Sequence, residues 1–261
     1  MDELKSRFAE DGYIIHKLSD TGPVDLVNEI IDRHFRPGEI TPDTAEFREA
    51  LLQCQNEINE HKAHKQIIVN EKPVFDALLD DQPMSLQSVV YLRGVRPHSE
   101  EMMEQVDFHR ENFYCDDDYI NHQLNVVVPI RNFSTRTSPK FVQGSHRIPD
   151  AEIEVKKFTS EESGVERFSV GHRLGLNYNP KKILSGVDLD SAQRMDLQPG
   201  EIIVFNTRLI HGGGSNMTKE MRFSLDFGVI STELVENAPE KKFHFAAYGD
   251  VKTHHLSLED F

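Results

Sequence analysis

Apolar residues recur at helical spacing up to about residue 85 and follow a different pattern beyond it. A segment over residues 43–60, for example, places Phe47, Leu51 and Cys54 along one side of a helix. The same spacing predicts helices over residues 2–10, 24–31 and 70–79, with a short extended stretch at residues 13–15. We therefore expect residues 1–85 to form a mainly helical layer.

From residue 86 onward, short apolar runs alternate with turn signals such as Arg96-Pro97 and Pro199-Gly200. Several short strands joined by such turns favour a β-sandwich or barrel of the jelly-roll type. We predict a mainly β fold class with flanking helices. The candidate strands cover residues 86–95, 106–113, 123–130, 140–142, 201–206 and 222–230.

We expect one domain over residues 1–261, with its β core at residues 86–230 and a C-terminal extension at residues 231–261. A charged insertion with little periodicity interrupts the core at residues 150–195, and it is expected to carry loops or a short helix over one mouth of the sheet. His254-His255 is interpreted as a solvated tail.

Charge and cysteine content narrow the class of protein. The chain has 29 basic and 44 acidic residues, a formal net charge of −15, which disfavours binding to nucleic acid. Its two cysteines, Cys54 and Cys115, cannot form a disulfide framework, and no apolar stretch is long enough to cross a bilayer. We expect a soluble, cytoplasmic protein that acts on a small molecule, without nucleic acid or membrane partners. The oligomeric state stays open.

The candidate chemistry begins with His109-Arg110-Glu111. On a strand, residues two apart share a face, so His109 and Glu111 would project side by side. His211 follows a predicted strand and precedes Gly212-Gly213-Gly214, whose glycines suit a tight turn beside an ion. Two imidazoles and one carboxylate leave three coordination sites open, as Fe(II) oxygenases require for a bidentate co-substrate and O₂.

A carboxylate-binding site is predicted eleven residues after His211. There Arg222 opens a strand, and a buried arginine would offer a fork to a carboxylate, with Ser224 as a hydroxyl donor on the same face. This arrangement suits the far carboxylate of 2-oxoglutarate, whose keto acid end would chelate the iron. The alternative is a structural arginine at the start of a strand.

These motifs resemble those of the Fe(II)/2-oxoglutarate dioxygenases, and the surrounding sequence resembles that of the phytanoyl-CoA dioxygenase branch. The matching segments are residues 8–15, 143–147, 197–205 and 209–216, followed by Arg222. The resemblance implies a double-stranded β-helix (cupin-like) core with helices packed outside, and hydroxylation coupled to decarboxylation of 2-oxoglutarate to succinate. Glu111 departs from the branch, which usually has aspartate there. A carboxylate at that position argues against the halogenase variants.

Other residues have open roles. Asn125 and Tyr114 are expected beside the metal, and Asn125 either bonds a 2-oxoglutarate carboxylate or satisfies a backbone group at the barrel mouth. His146 is expected to shape its Gly144-Ser145 turn, and Arg110 is expected at the surface. Two rival functions are a cupin-like metal enzyme that takes no keto acid and a non-catalytic barrel that binds a small ligand.

Overall fold

The structure is a computed structural model. It describes residues 1–35, 45–87, 89–97, 107–113, 123–157, 170, 174, 181–232 and 255–257, the last three by their backbone alone. Within these residues lie the helices α1 (Asp2–Asp11), α2 (Gly22–His34), α3 (Ala45–His61), α4 (Ala63–Asn70) and α5 (Lys72–Leu78). The four predicted helices are confirmed, whereas α4 was not predicted. None of the helices described is long and apolar enough to cross a membrane.

Gly12 ends α1 and directs the chain into the first strand. Its φ of +84° lies in the left-handed region, and its N–H donates to the carbonyl of Phe8. A side chain at this position would meet two residues at once, because a Cβ built there lies 2.8 Å from Leu209 Cδ1 and also overlaps the imidazole of His146. Residue 12 is therefore restricted to glycine by both conformation and space.

Twelve strands are described. They are β1 (Tyr13–Lys17), β2 (Met84–Gln87), β3 (Tyr91–Val95), β4 (Gln123–Arg131), β5 (Lys140–Phe141), β6 (Glu154–Lys157), β7 (Lys181–Ser185), β8 (Gln193–Arg194), β9 (Glu201–Asn206), β10 (His211–Gly212), β11 (Arg222–Ser231) and β12 (His255–Ser257). Strands predicted over residues 123–130, 140–142, 201–206 and 222–230 are confirmed within a residue or so at each end. The segment predicted over residues 86–95 divides into β2 and β3.

Two expectations were wrong, and a third was incomplete. The described part of the strand predicted over residues 106–113 is a single β-bridge at His109 followed by a 3-10 turn at Glu111–Phe113. The 150–195 insertion carries the short 3-10 helices Asp150–Glu152 and Leu189–Ser191, as expected, but it also contains strands that were not predicted, with β6 paired antiparallel to β7. His255 belongs to β12, which pairs with β2, so it is not a solvated tail. His254 lies outside the described residues.

Apart from the separate pair β6–β7, the described strands form two facing sheets with a double-stranded β-helix topology. The larger sheet has the order β1-β9-β4-β11-β2-β12, with β3 also paired to β11. The smaller sheet has the order β10-β5-β8, and the bridge between His109 and His211 extends it beyond β10. Because β3, β4, β9 and β11 alternate along the chain with segments of the smaller sheet, the chain winds between the two layers.

The two faces of β4 show where the core lies. Leu124, Val126 and Val128 pack in the core shared with the helices, and α2 contacts this strand. Val127, on the opposite face, packs with Phe141 of the smaller sheet, inside the β-helix. Period-two alternation thus separates an outer core under the helices from an inner face directed at the smaller sheet.

Candidate metal centre

His109 and His211 lie directly opposite each other at the edge of the smaller sheet. The N–H of His109 donates to the carbonyl of His211 at 2.9 Å, and the N–H of His211 donates back at 3.0 Å. Residues directly opposite in an antiparallel pair project their side chains to the same face. The two imidazole centroids accordingly lie 4.3 Å apart.

Glu111 joins the pair through a turn and not through a regular strand. Its N–H donates to the carbonyl of Thr207 at 2.9 Å, at the start of the 3-10 turn. Its carboxylate Oε1 lies 3.5 Å from His109 Nε2 and 3.3 Å from His211 Nε2. The predicted proximity of the three residues is therefore observed, although the strand geometry from which it was argued is not.

Backbone carbonyls fix the orientation of both imidazoles. Nδ1 of His109 hydrogen-bonds to the carbonyl of Asp107 at 2.7 Å, and Nδ1 of His211 to that of Leu209 at 2.9 Å. A carbonyl can only accept, so each Nδ1 carries the proton, and in the neutral imidazole each Nε2 presents its lone pair as a ligand atom. Both Nε2 atoms face the carboxylate of Glu111.

The electrostatics favour the metal-binding protonation states. Burial lowers the pKa of His109, the neighbouring His211 lowers it further, and Glu111 only partly opposes the shift. Burial alone would raise the pKa of Glu111, but the two neighbouring histidines outweigh it and hold that pKa well below its usual range. Neutral imidazoles and an ionised carboxylate are the forms that ligate a cation.

The spacing of the donors fits a divalent transition-metal ion. Ligand atoms of His109, Glu111 and His211 all lie within 4.8 Å of one another. Two ligands bound about 2.1 Å from an ion at right angles would be about 3.0 Å apart, close to the carboxylate–imidazole separations seen here. Among the described residues, this is the one group of three or more such side chains so arranged.

Aromatic rings surround His211 on the inner side. Phe141 stacks on its imidazole with centroids 5.9 Å apart, and Phe205 meets it edge-on at 4.8 Å. Neither phenylalanine was singled out from the sequence, although both lie on strands that were predicted. Their rings limit the rotation of His211 and exclude water from that side.

Arg222 and Ser224 lie buried on one face of β11, as period-two spacing predicted. The guanidinium of Arg222 donates to the carbonyl of Thr137 at 3.3 Å and lies 5.8 Å from the ring centroid of Phe133. The Ser224 hydroxyl is buried and has no hydrogen-bond partner among the described residues. A buried hydroxyl that lacks a protein partner can form a hydrogen bond with a polar ligand.

Asn125 shares this inner face, because β4 and β11 pair it with Gly228. Gln123, two residues earlier and not singled out from the sequence, donates to Asn125 Oδ1 at 3.0 Å. Gln123 Oε1 and Asn125 Nδ2 are then buried without a partner among the described residues. Period-two spacing from Asn125 would have identified Gln123. The predicted Tyr114 lies outside the described residues.

A double-stranded β-helix with two histidines and one carboxylate converging at its open edge defines the class of mononuclear non-haem metal oxygenases. Residues 46–224, more than half of the chain, match the family described as Phytanoyl-CoA dioxygenase (PhyH). The chain belongs to this family, whose members use Fe(II), 2-oxoglutarate and O₂, and it is a non-haem Fe(II)/2-oxoglutarate oxygenase. A comparison with curated protein sequences finds no match.

Solved structures share the fold at low sequence identity. EvdO2 from Micromonospora carbonacea var. aurantiaca has a TM-score of 0.63 and 16% identity, over 88% of this chain and 91% of EvdO2. EvdO2 complexed with 2-oxoglutarate gives a TM-score of 0.61 and 16% identity, over 89% and 91%. The apo form of the non-heme monooxygenase ThoJ gives 0.57 and 15%, over 92% and 79%. The epimerase SnoN in complex with Fe³⁺, alpha ketoglutarate and nogalamycin RO gives 0.50 and 17%, over 88% and 83%.

Proposed function

We propose that this oxygenase hydroxylates a polar small molecule, with Fe(II) held by His109, Glu111 and His211. The observation that carries the proposal is the pair of Nε2 atoms directed at one carboxylate while both Nδ1 atoms are bonded to backbone carbonyls. When bound, the iron supplies O₂ activation coupled to the oxidative decarboxylation of 2-oxoglutarate.

In this proposal, Arg222 and Ser224 bind the far carboxylate of 2-oxoglutarate. The buried guanidinium offers charge-assisted hydrogen bonds, and the Ser224 hydroxyl, which lacks a partner among the described residues, completes them. Both groups are buried inside the β-helix, where exclusion of water strengthens binding of a carboxylate. Their role is to fix the co-substrate at one end, so that its keto acid end is presented to the three ligands.

The substrate class follows from the polarity of the inner face. Arg93 lies opposite Ser224 and forms an ion pair with Asp226 at 2.7 Å, two residues further along β11. Gln123 and Asn125 add a hydrogen-bond acceptor and a donor that have no partners within the described residues. Exchanging the amide N and O atoms of both residues would again leave one donor and one acceptor. A long acyl chain would leave these groups unsatisfied, whereas a substrate bearing hydroxyl or amide groups would not.

The remaining protein groups orient the reactants and exclude water. Phe141 and Phe205 cover one side of His211, and Val127 packs with them from the larger sheet. This apolar wall keeps water out of that side of the site, where water would otherwise promote side reactions. The polar inner face then holds the substrate carbon within reach of the iron site.

Succinate release tests the proposal when measured over a panel of metabolites with Fe(II), ascorbate and 2-oxoglutarate. Hydroxylated and amide-containing compounds are expected to stimulate release, and acyl-CoA esters are not. His211→Ala provides the inactive control. Stimulation by acyl chains alone would contradict the substrate class.

The rival cupin-like enzyme that takes no keto acid requires a separate experiment. If 2-oxoglutarate binds the metal, its anaerobic addition to the Fe(II) protein changes the visible absorption spectrum. An unchanged spectrum would favour the rival. Failure of the wild-type protein to bind any divalent ion would favour a non-catalytic barrel.

A further inference from the structure

Arg110 separates two metal ligands in the sequence, and its side chain is fully buried, which contradicts the surface position expected for it. The guanidinium lies away from the imidazoles and contacts residues 145–150, here called the 145–150 turn. Burial of an arginine is tolerated where its charge is paired and most of its donors are satisfied, and both terminal nitrogens of Arg110 have partners. Its contacts therefore indicate what this arginine does.

The guanidinium makes three hydrogen bonds to the 145–150 turn. One terminal nitrogen donates to the carbonyls of Ser145 and Ile148, the latter at 2.8 Å, and the other donates to the carboxylate of Asp150. A planar guanidinium can satisfy acceptors in several directions from one rigid group, which a lysine cannot. Arg110 thereby ties the segment that carries His109 and Glu111 to this turn.

The same turn also holds the segment that carries His211. The Ser145 hydroxyl accepts a hydrogen bond from the N–H of Ile210 at 2.8 Å, directly before His211. Asp150 lies 3.7 Å from the guanidinium of Arg208, in the same ligand-bearing segment as His211. Ser145, at one end of the turn, contacts Arg110 and Ile210, and Asp150, at the other end, contacts Arg110 and Arg208. Each end of the turn therefore contacts both ligand-bearing segments.

We propose that Arg110, with Ser145 and Asp150, forms a positioning device that holds both ligand-bearing segments in place before the metal binds. The proposal rests on the proposed metal site but not on the identity of the substrate. Its function is preorganisation, because ligands held in position lose less freedom when the ion is bound. Arg110 touches none of the reactants and is a positioning residue.

The expected effects are losses of metal affinity. Arg110→Met removes all three bonds without burying a polar group, and it should weaken Co(II) binding about 10- to 100-fold, the range typical of residues that orient metal ligands. Arg110→Lys keeps the charge but loses the fork, so its loss should be intermediate. Ser145→Ala removes only the acceptor for Ile210 and should produce a smaller loss, about threefold.

The experiment is an anaerobic titration of the metal-free full-length protein with Co(II), alongside thermal unfolding of the same samples. Arg131→Met is the matched control, because Arg131 is a half-buried arginine that pairs with Asp32 at 2.9 Å on the outer side of β4. Arg131→Met is expected to change the unfolding temperature without changing Co(II) affinity. Arg110→Met is expected to weaken affinity beyond what any change in unfolding temperature explains.

Wild-type affinity in the folded Arg110→Lys and Ser145→Ala variants would overturn the positioning role, even if Arg110→Met failed to fold. An equal loss in Arg131→Met would overturn it as well, since the effect would then be one of general stability. A wild-type protein that binds no Co(II) would overturn the metal site itself. The last outcome is distinct from the first two, because in those the wild-type protein binds metal and only the role of Arg110 is lost.

Discussion

Glu71 in the helical layer and Glu111 at the metal centre both contact histidines, and the distances in the two clusters differ. Glu71, between α4 and α5, lies 2.8 Å from His16 Nε2, 2.6 Å from the N–H of Ser19 and 2.7 Å from its hydroxyl. The carboxylate of Glu111 lies 3.3 and 3.5 Å from its two imidazole nitrogens. Strong hydrogen bonds fall at about 2.7–3.2 Å, so the first cluster is closed by protein atoms.

The comparison shows how the same residue types serve two purposes. Burial raises the pKa of Glu71, but its bonds to His16 and Ser19 outweigh this and lower it overall, as the histidines do for Glu111. Charge alone therefore does not separate a structural cluster from a metal site. Spacing separates them, because donor atoms slightly too far apart for strong mutual bonds can share a cation between them.

The largest expected effect comes from His211→Ala, which removes one side of the metal centre. Succinate formation should fall at least about 1,000-fold, because two remaining ligands hold Fe(II) weakly. Release of succinate measured with Fe(II) and ascorbate tests this. Wild-type turnover in His211→Ala would contradict the assignment. Glu71→Gln is the control and should retain turnover, because Glu71 lies in the helical layer.

Arg222→Met tests the carboxylate site inside the β-helix. The KM for 2-oxoglutarate should rise about 100-fold, since hydrogen bonds to charged groups contribute about 1.5–3 kcal/mol each. Co(II) affinity without 2-oxoglutarate should stay within about twofold of wild type, because Arg222 is not a ligand. An unchanged KM would support the structural role for this arginine.

His64 allows the helical layer to be tested by pH. Burial lowers its pKa to about 4, opposed by its bond to the carbonyl of Gln87 and assisted by Lys62. The pKa of His64 in the folded protein lies below its unfolded value of about 6.5, so the free energy of unfolding decreases as the pH falls through this range. The expected decrease at pH 5 is about 2 kcal/mol. His64→Gln should reduce the loss in urea-unfolding free energy between pH 7.5 and 5. An unaltered pH dependence would contradict the assignment.

Glu71→Gln is expected to have the smallest effect. The free energy of unfolding should fall by about 1–2 kcal/mol, because three charge-assisted hydrogen bonds become neutral ones. Co(II) affinity should not change, since Glu71 lies in the helical layer. Urea unfolding and a Co(II) titration measure the two quantities side by side. A weakened affinity would mean that the two clusters are coupled.

The features that the sequence could predict are those set by local periodicity. Alternation along β11 placed Arg222 and Ser224 on one face, and helical spacing located the stripe of α3. The break between α3 and α4 could not be predicted, because it falls at Lys62 with a φ of +52° and no glycine or proline marks it. The bridge at His109 was missed for another reason, since its partner is His211, about a hundred residues away.

Burial of Arg110 was beyond prediction because two of its partners are backbone carbonyls. Strand alternation placed Arg110 on the face opposite His109 and Glu111, but a charged side chain on that face is usually exposed to solvent. The carbonyls of Ser145 and Ile148 that satisfy it carry no sequence signal. Sequence therefore identified the ligands more readily than the groups that orient them.

Gly12 lies almost two hundred residues before His211 in the chain, yet its neighbour Leu209 supplies the carbonyl bonded to the His211 imidazole. A side chain at residue 12 would press on that leucine and on the His146 turn together. A random mutagenesis screen for inactive variants should therefore recover changes at the N-terminal end of the chain. Such variants would be mistaken for folding defects unless their metal content were measured.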